Sequence, residues 1–163
     1  MSASMATIAK SLRSEDTSGT ECVQKIQDAY PDAESARSWT LELDSSGGSI
    51  LHMAVDGTKA EAISHILSVC PDLAKLPNGF GFTPVEWHRE RMNLNRSIHA
   101  LGFFTIDRSN EFKGFGPNDL ACLAALTGQE VADLSKLSDE DIRPRRPRTT
   151  RRPARLSSAQ PCA

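Results

Sequence analysis

The sequence holds no apolar run long enough to cross a bilayer, so no membrane-spanning segment is expected. Its N-terminus, "MSASMATIAKSLRSEDTSG", also lacks the continuous hydrophobic stretch of a secretory signal. That segment is Ser-rich and free of acid before Glu15, which leaves a weak amphipathic targeting peptide as a lesser reading. Cysteine is sparse: Cys22, Cys70, Cys122 and Cys162 stand 48, 52 and 40 residues apart, too far for a zinc knuckle or a redox dithiol. Reduced thiols in a cytosolic or nuclear protein are the plain reading. Aromatics make up only 6% of the chain. There is no G-x-S-x-G elbow, no phosphate-cradling G-x-x-x-x-G-K-S/T loop and no dinucleotide fingerprint, so neither an enzyme nor a cofactor is expected.

Charge is divided unevenly. The stretch "RPRRPRTTRRPAR" carries Arg143, Arg145, Arg146, Arg148, Arg151, Arg152 and Arg155, seven of the 19 basic residues, and no acid lies in it or after it. The rest of the chain therefore holds 12 bases against 21 acids, a net of −9 against +7 for the tail. Arginine and proline together form neither a core nor a regular helix, so residues 139–163 read as a disordered, extended tail. Such a tail can be a merely solvated end, or can bind nucleic-acid phosphates, an acidic protein surface or an import receptor. Thr149, Thr150, Ser157 and Ser158 follow basic residues, and phosphorylation there would weaken that attraction. With no aromatics to stack bases, sequence-specific RNA reading is not expected of it.

The remaining chain is long enough, at about 120 residues, to bury a continuous core. It repeats itself. "GFTP" at Gly81–Pro84 returns as "GFGP" at Gly114–Pro117 after 33 residues, and 34 residues before Gly81 stands Gly47, in "GGSILHMAVDG". Leu67, Leu101 and Leu134 keep the same phase, 34 and 33 apart. Ile98 with Leu101, and Val131 with Leu134, have the spacing of one helix face. Ser49 or Thr83 suits a helix cap and Pro84 or Pro117 a first helical position. A short helix is expected to about Val55, Met92 or Leu126. A second follows, as in "TKAEAISHILSV", where Ala60, Ile63, Ile66 and Leu67 form an apolar stripe, and "CPDLAKLPNGFG" ends it with proline and a turn at Asn78-Gly79.

A unit of helix, turn, helix and loop is stable only when stacked on neighbours. "GGSILHMAVDG" resembles the ankyrin signature G-x-T-P-L-H-x-A-A-x-x-G, "GFTPVEWH" resembles its second occurrence, and "PDLAK" at Pro71–Lys75 is similar to the family's loop. The resemblance covers about residues 47–137. Ile50 stands for the family proline, Glu86 for its histidine, and His88 and Arg89 for its paired alanines; Asn118 takes a leucine position in the third unit, where Ala121 and Cys122 restore the small pair. Before Gly47, Ser18 with Glu21 has the pattern of a capping box. It opens a helix lined by Val23, Ile26 and Tyr30, read as half of an N-terminal repeat. A longer connection follows in which Trp39, Leu41 and Leu43 alternate as extended chain over the first repeat.

The expected architecture is an all-α, ankyrin-like stack over residues 18–138, with residues 1–17 and 139–163 as disordered tails. In that family the phase after the signature histidine and the turn tips form the recognition face. The resemblance thus implies Met53, Asp56, Trp87, Glu90 and Arg91, with Asn78, Phe80, Lys113 and Phe115 at the tips, as contacts for a protein partner. Burial of Trp87 between helices is the equal alternative. His52 matches the family's backbone-bonding histidine. Glu86 and His88 suggest an acid–base pair at first sight, but residues two apart on a helix diverge, and "EWHRE" lacks the i and i+4 ligands of a zinc site. A structural role is expected for both. "LACLAALTGQEVADLSKLSDEDI" can also be read as a helix-turn-helix, yet its second helix carries Glu130, Asp133 and Lys136, a charge mix poorly suited to DNA. The functional expectation is a non-catalytic scaffold or adaptor binding a protein partner. The alternative is a nucleic-acid-associated factor that uses the basic tail.

Overall fold

The computed structural model describes residues 3–31, 35–100 and 116–134. The fold is all-α, and no strand occurs among the described residues. Its helices are α1 (Ala3–Arg13), α2 (Gly19–Ala29), α3 (Ile50–Asp56), α4 (Ala60–Val69), α5 (Pro84–Ala100), α6 (Pro117–Thr127) and α7 (Val131–Leu134), with 3-10 turns at Ser35–Thr40 and Pro71–Lys75. They pack in two rows. α3 lies between α1 and α5 in one, α4 lies between α2 and α6 in the other, and α1–α2, α3–α4 and α5–α6 pair across them.

The middle of the first row is the centre of the core. Every residue of α3 from Ile50 to Val55 is buried, because neighbours flank this seven-residue helix on both sides and α4 covers it from behind. α1 contributes Met5, Ile8, Ala9 and Leu12, α2 Cys22 and Ile26, and α4 Ala62, Ile63 and Ile66. Leu67 packs half-buried against this core and Leu134 is buried, while Leu101 lies outside the described residues.

Local chemistry explains most helix starts. The Ser18 hydroxyl accepts from the Glu21 N–H at 3.1 Å, capping α2. At α5 the Glu86 carboxylate accepts from the Thr83 N–H at 2.9 Å and from its hydroxyl at 2.7 Å, one half of a capping box. His52, 34 residues earlier, does the same for α3: its Nδ1 accepts from the Ser49 N–H at 3.3 Å and lies 3.0 Å from the Ser49 hydroxyl. Pro84 and Pro117 stand first in α5 and α6.

The two turns ahead of α3 and α5 share one hydrogen-bond pattern at the same offset of 34. Asp44 N donates to Gly48 O (2.9 Å) and Gly47 N to Asp44 O (3.0 Å); Asn78 N donates to Phe82 O (2.9 Å) and Gly81 N to Asn78 O (2.9 Å). Asp44 Oδ1 accepts from the N–H groups of Ser46 and Gly48, both at 2.8 Å, and Asn78 Oδ1 from those of Phe80 and Phe82, at 3.0 and 3.1 Å. Gly47 and Gly81 both have positive φ, 71° and 87°. The turns also meet, through Gly79 N and Ser46 O at 2.9 Å, and a Cβ on Gly47 would stand 2.7 Å from Gly79 N.

Several expectations are corrected. Residues 1–17 contain α1, whose Met5, Ile8, Ala9 and Leu12 recur at i, i+3, i+4 and i+7 and bury completely or nearly so. α2 is thus the second helix of a whole pair rather than half a repeat. Trp39 is buried, but in a 3-10 turn rather than extended chain, meeting Tyr30 edge-on at 5.6 Å; Leu41 and Leu43 are exposed rather than laid over the first repeat. α5 does not stop near Met92 but continues to Ala100, since "MNLNRSIHA" offers no glycine or proline to end it. α6, expected to open a third unit in the first row, packs in the second row on α4 and α5.

Candidate partner-binding face

The exposed edge of the first row gathers charge and aromatic surface around Asp56, the last residue of α3. The Trp87 indole N–H from α5 donates to Asp56 Oδ1 at 2.8 Å. Arg91, one turn further along α5, pairs with the same oxygen at 3.6 Å and donates to Val55 O at 2.8 Å. Arg13, at the end of α1, reaches Asp56 Oδ2 at 3.5 Å and also pairs with Asp44. One carboxylate thereby links α1, α3 and α5. Burial alone would raise the Asp44 carboxyl, but hydrogen bonds from Ser46, Gly48 and Arg13 outweigh it and hold the group below its ordinary range.

Trp87 is half-buried. It packs against the core, its ring stacks on Phe80 with centroids 6.1 Å apart and planes 10° apart, and Phe82 lies at 6.1 Å on a tilt of 39°. Phe80 remains 64% exposed. The result is an aromatic shelf with a buried root and an open tip, beside a partly solvated network of two carboxylates and two guanidiniums.

Of the residues named from sequence, Asp56, Phe80, Trp87 and Arg91 come together here. Glu90 is half-buried on α5. Two do not belong to an exposed face. Met53 is fully buried because α3 is enclosed, and the buried Asn78 spends its side-chain carbonyl on its own turn. Lys113, Phe115 and the arginines from Arg143 to Arg155 lie outside the described residues. Sequence reasoning missed Arg13 and Asp44. Arg13 fell in a segment expected to be unstructured; the 34-residue offset that pairs Asp44 with Asn78 could have revealed Asp44.

Glu86 and His88 form no acid–base pair. Glu86 is taken up by Thr83, while the buried His88 donates from Nε2 to Asp119 O of α6 at 2.9 Å. His52 bridges the same way, from Nε2 to Phe82 O at 3.0 Å. Burial lowers the pKa of both imidazoles below 6.5, more than their hydrogen bonds and nearby aspartates restore it. Burial likewise pushes the Cys22 thiol up, and Cys122 to about 12, leaving both protonated. Among the described residues no group of three His, Cys, Asp or Glu side chains could hold a metal ion, and no helix is long and apolar enough to cross a membrane.

No protein-family model matches the chain, and neither a curated protein nor a solved structure matches it.

Proposed function

We propose that the chain is a degenerate ankyrin-type stack that acts as a non-catalytic binding module, a scaffold or adaptor in the cytoplasm or nucleus. Its protein partner docks on the edge formed by Asp56, Phe80, Trp87 and Arg91. The carrying observation is the Phe80–Trp87 stack, a large ring left open to solvent over a second ring fixed by Asp56. A pre-ordered aromatic beside arginine is the composition of an interface anchor, since little side-chain entropy remains to be lost on binding. The identical turns at Asp44–Gly48 and Asn78–Phe82 support the repeat reading.

Capture by full-length protein tests this. Phe80→Ala removes the open ring without touching the core, so it should cut partner recovery by about tenfold, the loss of a modest hot spot. Undiminished recovery with unchanged helicity excludes the face. The second reading, nucleic-acid association through the tail, is favoured by seven arginines in a stretch without acid. It predicts affinity falling with added salt at a log–log slope of about −6, and loss of binding on removal of residues 143–163.

A further inference from the structure

His52 and His88 clamp adjacent layers by the same bond, a ring Nε2–H given to a main-chain carbonyl 30 and 31 residues further on. Their other nitrogens differ. His52 Nδ1 faces the Ser49 hydroxyl at 3.0 Å, which can turn to accept if the ring gains a proton, and the charges acting on that ring are the carboxylates of Asp44 and Asp56. His88 Nδ1 is buried with no hydrogen-bond partner among the described residues.

The surroundings of His88 leave a proton poorly served. From α6 come the Asp119 carbonyl, already used by Nε2, and its carboxylate; from α5 itself comes the like charge of Arg91, which repels a protonated ring. α3 brings Asp56, which is engaged by Trp87, Arg91 and Arg13. The 3-10 turn at Pro71–Lys75 carries only the exposed Asp72–Lys75 pair at 3.7 Å. A neutral ring fits this site at the cost of one idle acceptor. A charged ring would bury a second N–H with no hydrogen-bond partner among the described residues.

We infer that the α5–α6 joint is an acid-sensitive latch: when His88 takes up a proton, α6 leaves α4 and α5 while the α1–α4 body stays folded. The depressed basicity of the ring agrees in sign, because a state with α6 released binds the proton at the ordinary 6.5 and is therefore favoured as pH falls below that value. Cys122 reports the event directly. It is fully buried in α6, whereas Cys22 is buried between α1 and α2 and hydrogen-bonded to Ser11 O.

The test is peptide-resolved labelling of the intact chain with an aromatic disulfide reagent, each rate normalised to a small unstructured thiol at the same pH. Between pH of about 7.5 and 5.5 the release equilibrium should rise, by about tenfold at most, so Cys122 labelling rises with it and Cys22 labelling stays level. His88→Gln, which keeps an N–H donor but cannot titrate, should abolish the increase. A flat Cys122 response, a parallel rise at Cys22, or persistence of the effect in His88→Gln overturns the latch. Should that variant fail to fold, NMR titration of the wild-type ring decides. His88 titrating in step with the α6 amides supports the latch; His88 titrating with those amides unmoved rejects it.

Discussion

At the scale of single residues, glycine and indole chemistry give the sharpest expectations. Gly47 and Gly81 both sit at positive φ, but a side chain on Gly47 would strike the neighbouring turn, whereas one on Gly81 meets nothing within 4 Å. Gly81→Ala should therefore cost about 1 kcal/mol, the left-handed penalty alone, and Gly47→Ala about 2–4 kcal/mol, with the clash added. Urea midpoints in the order wild type, Gly81→Ala, Gly47→Ala check this; equal midpoints would show that the turns are not in contact. Trp87→Phe keeps a ring in the shelf and removes only the donor to Asp56. Since Asp56 is partly solvated, the expected loss is about 1 kcal/mol with unchanged helicity by circular dichroism. Asp44 sets the acid limit of the first turn. Its folded carboxyl is depressed, so its stabilisation is present above 3.8 and is lost as pH falls further, through the folded value.

At the scale of helices, starts were far more legible than ends. Ser18, Ser49, Thr83, Pro84 and Pro117 announce their helices because a cap is a local bond between near neighbours, visible in a few letters. The capping role of His52 was hidden behind its bridging one, although its equivalent, Glu86, performs the same task with different chemistry. α1 was hidden by serine-rich composition, while its periodic stripe carried the true signal. The continuation of α5 past Met92 and the seating of α6 on α4 depend on distant packing, which no local pattern encodes. Met53 was misjudged for the same reason: its position matches a partly exposed phase, but a short helix enclosed by α1, α4 and α5 has no open side. α1 gives a direct test. Leu12→Ala should cost about 2–5 kcal/mol, as a buried leucine does, and lower the cooperative melting temperature; a melting curve like that of wild type would mean that α1 is not part of the body.

At the scale of the molecule, two rows of helices hold one ordered edge where Asp56 ties α1, α3 and α5 together and sets Trp87 beneath an open Phe80. The candidate face was half legible: Phe80, Trp87, Asp56 and Arg91 were named through the family resemblance, but the side-chain network that orders them needs Arg13 and Asp44, 43 and 12 residues away from Asp56. The measurement that tests the central claim most directly places a photo-crosslinking side chain at Phe80 or at Leu41, which is 82% exposed and makes no ring contact with Phe80 or Trp87. If the edge is the binding face, partner adducts form from position 80 and not from position 41. Adducts from position 41 alone, or equally from both, would contradict it.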